Sequence, residues 1–202
     1  MALIDLSAGS DAAPILYGDG VMLRPPEMSD FRAWRDLRED SRAHLTRWEP
    51  DWTAQDITAQ AFRQRLKTYA RAIRQGKAAP YFIFAADDGA LVGGANLINI
   101  VRGAAQSASI GYWIGRGHTR RGFAFAAVRA LTAFGFETVR LNRIEAACQP
   151  ENDASLNLLA KLGFRREGLA REYLNINGAW RDHVNFAMTA SDWRRIGGAV
   201  AR

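Results

Sequence analysis

The stretch GYWIGRGHTRRGFA, residues 111–124, joins an apolar strand to an alanine-rich helix through a short basic loop. The loop contains Arg120, Arg121 and Gly122 just before the helix begins. A helix start leaves backbone N–H groups unpaired and carries the positive end of the helix dipole. Glycine also lets a ligand approach the backbone closely. The stretch therefore predicts a loop that binds a diphosphate.

Two common phosphate-binding motifs are absent from this loop. A P-loop requires Gly-Lys-Ser/Thr, whereas Phe123 follows Gly122, and the Gly-x-Gly-x-x-Gly spacing of dinucleotide-binding loops is not found. A basic turn between a strand and a helix can also be a simple connection. The residues further along the chain therefore have to decide between these interpretations.

Residues Thr119–Ala124 resemble the acetyl-CoA pyrophosphate loop of the GNAT N-acetyltransferases, written Gln/Arg-x-x-Gly-x-Gly/Ala. Thr119 departs from the first position of that pattern, which leaves a side-chain contact there in doubt. About thirty residues after the loop glycine, Asn152–Ser155 and Lys161–Phe164 are similar to the second signature of the family. The two features at this separation are more specific than either one alone.

The order of sequence patterns predicts a mixed α/β (α+β) fold. Reading the chain gives β-α-α-β-β-β-α-β-α-β-β, which indicates a strongly twisted mixed sheet with helices on both faces. This is also the order of the GNAT fold, so the resemblance covers about residues 20 to 190. We expect one acetyltransferase domain at residues 19–192, a loose N-terminal tail at 1–18 and a C-terminal tail at 193–202.

Local signals place the two ends of this fold. Thr53, with Asp56 three residues later, predicts the start of a long helix whose apolar stripe begins at Phe62. Asn177-Gly178 predicts a type I′ hairpin between the last two strands.

Composition limits the possible classes of protein. With 48% hydrophobic and 24% charged residues, the 202-residue chain has a globular composition, and no apolar run is long enough for a membrane span. The start of the chain lacks a secretory signal, so we expect a cytoplasmic protein. The single cysteine excludes an internal disulfide, and three scattered histidines give no metal-binding spacing. The net charge of +6 suits phosphate ligands, but no stripe typical of sequence-specific nucleic-acid binding is present.

Within the superfamily, three segments resemble the ribosomal-protein N-terminal acetyltransferases of RimJ type. They are residues 44–48 (HLTRW), 110–114 (IGYWI) and 178–183 (GAWRDH). The resemblance implies acetyl-CoA as co-substrate, without a metal, and a protein N-terminus as acceptor. The most specific expectation is that the acceptor is the N-terminal alanine of a ribosomal protein.

The resemblance also implies which residues hold the cofactor. The backbone at Arg120, Arg121, Gly122, Phe123 and Ala124 would bind the diphosphate. The pantetheine arm would lie along Tyr112, Trp113 and Ile114 like an added strand, and Asn152 would touch the cofactor. Each set has a structural alternative, because the strand side chains can be core and Asn152 can cap the following helix.

The catalytic residues implied are Ser155 and Glu172. Ser155 would donate a hydrogen bond to the developing thiolate, since an alcohol is a poor acid beside a thiol. Glu172 lies on the strand that enters the Asn177-Gly178 hairpin and would take the proton of the amine. Many relatives carry a glutamate where this chain has Ser109.

Other assignments of the base stay open at the sequence level. Glu145 is a further candidate, with the alternative that it is simply a solvated or salt-bridged carboxylate. His183 is more typical of a packed or surface histidine than of a base. A water relay without a single base is an equal alternative. We also weigh a small-molecule amine as acceptor, and a non-catalytic factor that binds the ribosome or acyl-CoA. A monomer or weak homodimer is expected.

Overall fold

The apolar runs of the chain form one mixed sheet of eight strands. The computed structural model describes residues 13–197, and its strands lie in the order β1-β2-β3-β4-β5-β6-β8-β7. The pairing of β5 with β6 is parallel and the other pairings are antiparallel. The strands are β1 (Leu16–Gly18), β2 (Val21–Arg24), β3 (Ala79–Ala85), β4 (Leu91–Val101), β5 (Ser107–Ile114), β6 (Arg143–Cys148), β7 (Arg165–Ile176) and β8 (Ala179–Thr189).

Helices cover both faces of this sheet, as the sequence predicts. They are α1 (Phe31–Asp40), α2 (Arg42–Leu45), α3 (Ala59–Arg74), α4 (Phe123–Ala133), α5 (Asp153–Leu162) and α6 (Ala190–Arg195), and a π-helical turn at Phe134–Thr138 continues α4. The main core lies under α4 and α5, where Val128, Leu131 and Leu159 are buried. A second, mostly aromatic cluster on the other face contains Trp34 of α1 and Phe62 of α3. The predicted mixed α/β fold is confirmed.

The expected loose tail at residues 1–18 is wrong at its C-terminal end. Leu16–Gly18 forms β1, which pairs with β2. Leu16 packs against the main core, and a Cβ on Gly18 would lie 2.9 Å from the carbonyl oxygen of Ala126 in α4. A strand of three residues is too short for a periodic signal, so the sequence alone could not reveal it. Residues 1–12 of the expected tail lie outside the described residues.

The expected C-terminal tail at 193–202 also needs correction. Trp193 belongs to α6, which begins after a Thr189–Asp192 capping box. Its side chain is buried, and its indole Nε1 donates to a carboxylate oxygen of Glu137 at 2.9 Å. The chain therefore continues to pack on the sheet beyond residue 192. Residues 198–202 of the expected tail lie outside the described part. That the chain forms a single acetyltransferase domain stays a prediction.

Two turns show where local signals succeeded and failed. Thr53 does hydrogen-bond Asp56, but α3 begins only at Ala59 with Thr58 as its N-cap. The predicted hairpin is correct, since Asn177 and Gly178 have φ of 53° and 83°. Positive φ at both central residues is what a type I′ turn requires.

Candidate active site

Strands β5 and β6 separate after three paired residues, and this opening defines the candidate site. Ser107–Ser109 pairs with Arg143–Glu145, and beyond that point the described residues show no pairing between the two strands. On its other side β5 stays paired with β4 as far as Ile114. The backbone of residues 110–114 is therefore a free strand edge to which an extended ligand can add.

A cavity of about 140 Å³ occupies this opening, which we call the splay cavity. Its walls come from β5, β6, α5, β8 and the segment after α2. The side chains with hydrogen-bonding or titratable groups include Tyr112, Cys148, Gln149, Asn152, Ser155 and His183. Within residues 13–197, no aspartate, glutamate, lysine or arginine lines it. The wall of the cavity is therefore polar but carries no fixed charge.

The N-terminus of α5 places Asn152 and Ser155 at the cavity. The side-chain Oδ1 of Asn152 accepts the backbone N–H of Ser155 at 3.1 Å, so Asn152 is the N-cap of this helix. The capping alternative is thus correct for Asn152. Only the backbone of Ser155 takes part in the cap, which leaves its half-buried hydroxyl available to the cavity.

Two buried groups near Ser155 keep their protons at neutral pH. Burial raises the pKa of Tyr112 to about 12, an effect that the nearby Ser155 side chain opposes. The Tyr112 hydroxyl nevertheless makes no hydrogen bond within the described residues. Burial also raises the pKa of the Cys148 thiol to about 11. Both groups are neutral donors rather than bases at this site.

The loop after β5 leads into the N-terminus of α4 without a cap. Gly122 is the N-cap residue, with a left-handed φ of 86°, and no side chain bonds to this end. The first helical hydrogen bond runs from the N–H of Ala126 to the Gly122 carbonyl. Among the described residues, the N–H groups of Phe123 and Ala124 therefore have no backbone partner. This is the geometry of an anion-binding helix terminus.

Two arginines of the same loop are open to solvent. Arg120 has a φ of 61° and is exposed. Arg121 lies 4.7 Å over the Phe123 ring and 3.9 Å from the exposed carboxylate of Asp87. An exposed ion pair at this distance is weak, so the Arg121 guanidinium can turn toward a phosphate at little cost.

The three β5 residues predicted for the pantetheine arm differ in where their side chains lie. Tyr112 lines the splay cavity, whereas Ile114 is buried in the main core. Trp113 points to the opposite face, where it packs with the aromatic cluster. Only the backbone of Trp113 and Ile114 can therefore serve the cavity, while Tyr112 can contribute its side chain as well.

Glu172 lies apart from this group. It sits at a bulge in β7 with a φ of 48°, its side chain is exposed, and its backbone N–H donates to Asp182 Oδ1 at 2.8 Å. It is not among the residues that line the splay cavity. The nearest link is its neighbour Tyr173, whose ring contacts the His183 ring with centroids 5.6 Å apart.

The other carboxylate weighed as a base is engaged elsewhere. Glu145 is exposed and accepts from Arg143 Nε at 2.7 Å, with Glu167 as a further partner of that arginine. Ser109 of β5, where the resemblance to the family implies a glutamate, likewise supplies no carboxylate to the described cavity.

Sequence reasoning missed Cys148 and Gln149 as cavity residues, and it interpreted His183 as a packed or surface residue. His183 is indeed packed, with only 3% exposure, but it also lines the cavity. Alternation along β6 and β8 could have indicated which residues share a face. The side on which β6 separates from β5 was not readable from that pattern.

A second cavity, of about 160 Å³, lies on the opposite face beside α1 and α3. Three charged side chains line it, Arg38, Glu49 and Arg65, and two of them are paired, since Arg38 lies 2.5 Å from Glu49. The Arg38 guanidinium also covers the rings of Trp52 and Trp113, at 4.0 and 5.0 Å. Of residues 110–114 only Trp113 borders this cavity, through its side chain, and the start of α4 does not, so the splay cavity is the better candidate.

Two general features follow from the part of the chain that the structure describes. Residues 13–197 bring together no cluster of three histidine, cysteine or acidic side chains suited to a metal ion. No helix in the same range combines the length and the apolar character that crossing a bilayer requires.

Comparison with known proteins agrees with this geometry. The family model described as acetyltransferase (GNAT) domain matches residues 21–165. The [ribosomal protein uS5]-alanine N-acetyltransferase of Escherichia coli is 37% identical over 166 residues, which cover 81% of this chain and 86% of that protein. The structure of Mycobacterium smegmatis RimJ in complex with CoA-disulfide superposes with a TM-score of 0.80 at 35% identity, covering 91% and 93% of the two chains.

A third relative has the same fold over almost its whole length. The ribosomal-protein-S5-alanine acetyltransferase from Vibrio fischeri superposes with a TM-score of 0.83 at 28% identity, covering 90% of this chain and 99% of that one. The resemblance to RimJ-type enzymes is thereby confirmed, and acetyl-CoA is the co-substrate. The chain belongs to the GNAT superfamily and is an acyl-CoA-dependent N-acetyltransferase.

Proposed function

We propose that this enzyme acetylates the N-terminal amine of a ribosomal protein, with alanine as the residue modified. The amine would attack the thioester directly while both substrates are bound in the splay cavity. Two relatives described above carry names that specify an alanine of ribosomal protein S5. The residues of this chain give that assignment a physical basis.

The cofactor is assigned to the free edge of β5 and the loop that follows it. The unpaired N–H groups of Phe123 and Ala124, with Arg120 and Arg121 beside them, would hold the diphosphate. The pantetheine arm would bond to the backbone of residues 112–114 as an added strand. One of these N–H groups would then face the thioester oxygen and stabilise negative charge on it.

The sulfur end of the thioester is assigned to the wall formed by Ser155 and Tyr112. The Ser155 hydroxyl is free of the α5 cap and would donate to the departing thiolate. Tyr112 keeps its proton because burial raises its pKa to about 12, so it is a second donor available there. Asn152 lines the same wall, and a contact between its amide and the cofactor stays a prediction.

The acceptor is assigned to the space between α2 and the β7–β8 hairpin. Asn177 at the hairpin tip joins these elements, since its Nδ2 donates to the Thr46 carbonyl at 2.8 Å and its Oδ1 accepts the Asp51 N–H at 2.6 Å. Gln149 adds a longer contact to the Arg47 carbonyl at 3.4 Å. These contacts hold the segment around Trp48 beside the cavity, where an extended peptide end could enter.

The choice of a peptide as the acceptor rests on the absence of acidic side chains from the described wall of the splay cavity. A polyamine bears several positive charges and needs carboxylates to bind it, whereas the splay cavity has none within residues 13–197. A peptide N-terminus brings one amine followed by a neutral backbone. The uncharged wall therefore favours a peptide over a polycation.

The remaining assignments belong to the same proposal. Glu172 as the general base stays a prediction, although the described cavity wall does not include it. The enzyme would act in the cytoplasm, where ribosomal proteins are made, as a monomer or weak homodimer.

Three acceptors with labelled acetyl-CoA test this proposal. They are a peptide beginning with alanine, the same peptide blocked at its N-terminus but carrying a lysine, and spermidine. We expect the label on the alanine amine, because an α-amine has a pKa near 8 and a lysine side chain near 10.4. A mixture of ribosomal proteins, mapped by mass spectrometry, then identifies the natural acceptor. Label confined to lysine side chains, or to spermidine, would overturn the assignment.

A further inference from the structure

We propose that His183 takes the proton from the acceptor amine. This inference rests on the proposed placement of acetyl transfer in the splay cavity. It assigns a catalytic role to a buried histidine that the sequence pattern left as a packing residue.

The composition of the cavity wall singles out this side chain. The described lining holds three titratable side chains, Tyr112, Cys148 and His183. Burial raises the pKa of Tyr112 to about 12 and that of Cys148 to about 11, so both are protonated when an amine must be deprotonated. Histidine is the residue type that accepts a proton near neutral pH. The wall therefore offers one base suited to this step.

A hydrogen bond fixes the imidazole in the required form. His183 Nδ1 lies 3.0 Å from the backbone carbonyl oxygen of Arg181. A carbonyl oxygen can only accept, so Nδ1 carries the hydrogen and, in the neutral ring, Nε2 carries the lone pair. Within the described residues Nε2 has no hydrogen-bond partner in the protein. In its neutral form the ring therefore presents the Nε2 lone pair as an acceptor that no described protein group uses.

The groups packed around the ring do not compete for this role. Tyr173 of β7 places its ring against His183 at 5.6 Å between centroids, and Ala170 of the same strand lies opposite in the register. Cys148 is next to this position on β6, through its pairing with Val184. The neighbouring Asp182 already accepts the Glu172 backbone N–H. Burial at 3% exposure keeps the imidazole in place.

The proton balance of the step is simple. The ammonium form of the acceptor gives one proton to His183 Nε2, and the free amine attacks the thioester carbonyl. The new C–N bond forms as the C–S bond breaks, and the second proton lost from nitrogen goes to the CoA sulfur by way of the Ser155 hydroxyl. The imidazolium returns its proton to water, so acetyl-CoA and the ammonium form of the acceptor yield an amide, CoA and one proton.

The substitution His183→Asn separates this role from packing. Asparagine can still donate to the Arg181 carbonyl, but it cannot accept a proton at the position of Nε2. We expect kcat at pH 7 to fall about 100-fold. The variant would then depend on amines already deprotonated by solvent, so the deficit should narrow above the α-amine pKa of about 8. A purely structural defect would stay constant with pH.

His44→Asn is the control for loss of an imidazole: His44 lies in α2 beside the proposed acceptor space, so the rate of this variant can change, but His44 does not line the splay cavity. The variant should keep the wild-type pH profile. Glu172→Gln tests the competing assignment in parallel. A deficit that narrows with rising pH in Glu172→Gln, and not in His183→Asn, would overturn the proposal in favour of Glu172.

The wild-type enzyme gives a second measurement if His183→Asn does not fold. Diethyl pyrocarbonate acylates neutral imidazole, and peptide mapping reports which histidine reacts. We expect loss of activity to follow modification of His183, with acetyl-CoA slowing both. Full activity in protein acylated at His183 would contradict the proposal. Alkylation of Cys148 by iodoacetamide is followed in parallel. If acetyl-CoA does not slow that reaction, the cofactor does not bind in the splay cavity and the location of the site is wrong.

Discussion

The N-termini of α4 and α5 follow neighbouring strands of the sheet, yet only one of them is capped. At α5 the side chain of Asn152 accepts the Ser155 N–H. At α4 the N-cap is Gly122, which offers no side chain, and basic rather than acidic residues precede the helix. Both ends have the same intrinsic need for an acceptor, because every helix starts with unpaired N–H groups.

The difference assigns separate tasks to the two helices. The end of α4 leaves its donors free, and in the proposed function a diphosphate would complete the hydrogen bonding there. At the start of α5 the Asn152 side chain satisfies the Ser155 N–H, so it holds Ser155 in a fixed position at the cavity wall. Under the proposed function, one helix start would bind the ligand and the other would position a side chain for chemistry.

Closing the open helix end should give the largest effect. Gly122→Glu puts a carboxylate where the diphosphate would lie and forces a side chain into a left-handed backbone with a φ of 86°. We expect CoA affinity, measured by calorimetry, to fall at least ~100-fold from charge repulsion and lost helix-end binding. In the wild type the affinity should also weaken with added salt.

Gly103→Glu is the matched control for this substitution. Gly103 also has a positive φ, of 68°, with no atom within 4 Å of an added Cβ, but it lies in the β4–β5 turn. Its backbone cost and charge change equal those at Gly122, so its CoA affinity should stay near the wild type. Equal loss in the two variants would remove the loop from the cofactor site.

Removing the hydroxyl at the capped end should affect rate instead of binding. Ser155→Ala keeps the backbone N–H that Asn152 bonds, so the cap and the melting temperature should be unchanged. We expect kcat to fall about 10- to 100-fold, the equivalent of one charged hydrogen bond in the transition state, with CoA affinity within about 2-fold. A wild-type rate together with a lower melting temperature would mean that the hydroxyl is structural.

The smallest effect should come from the cap itself. Asn152→Ala removes the acceptor at α5, which costs roughly 1 kcal/mol and lowers the melting temperature by about 2–4 °C. Asn152→Asp keeps an acceptor of equal capping strength and should restore the lost stability. If both variants melt alike, the hydrogen bond to the Ser155 N–H contributes nothing to stability.

The sequence was sufficient for elements with strong local signals. The strand at Ser107–Ile114, the helix after Gly122 and the Asn177-Gly178 hairpin all lie where periodicity and turn chemistry placed them. The strand Leu16–Gly18 and the helix around Trp193 were missed because packing on the sheet, rather than a local sequence pattern, determines their structure. Short segments of this kind have no pattern of their own that predicts structure.

The candidate site was only partly predictable for a related reason. The loop residues and Ser155 could be proposed as site residues from motifs, since each motif is contiguous. Whether His183 and Cys148 reach the cavity depends on which faces of β8 and β6 are turned toward the opening between β5 and β6. The parallel pairing at Ser107–Ser109 sets that orientation. Pairing between strands distant in sequence is a tertiary property that one chain read locally does not reveal.

The single cysteine of the chain gives the most direct test that acetyl-CoA occupies the splay cavity. Cys148 lines this cavity, and burial raises its pKa to about 11. Because the thiolate is the reactive form, iodoacetamide should react slowly at pH 8. Its rate should rise about tenfold for each unit by which the pH is increased toward that pKa. Acetyl-CoA has no free thiol to consume the reagent. We predict that saturating acetyl-CoA slows alkylation of Cys148 at least ~10-fold in the wild type but not in Gly122→Glu. Alkylation at the same rate with and without acetyl-CoA, under conditions where calorimetry shows the cofactor bound, would contradict the account.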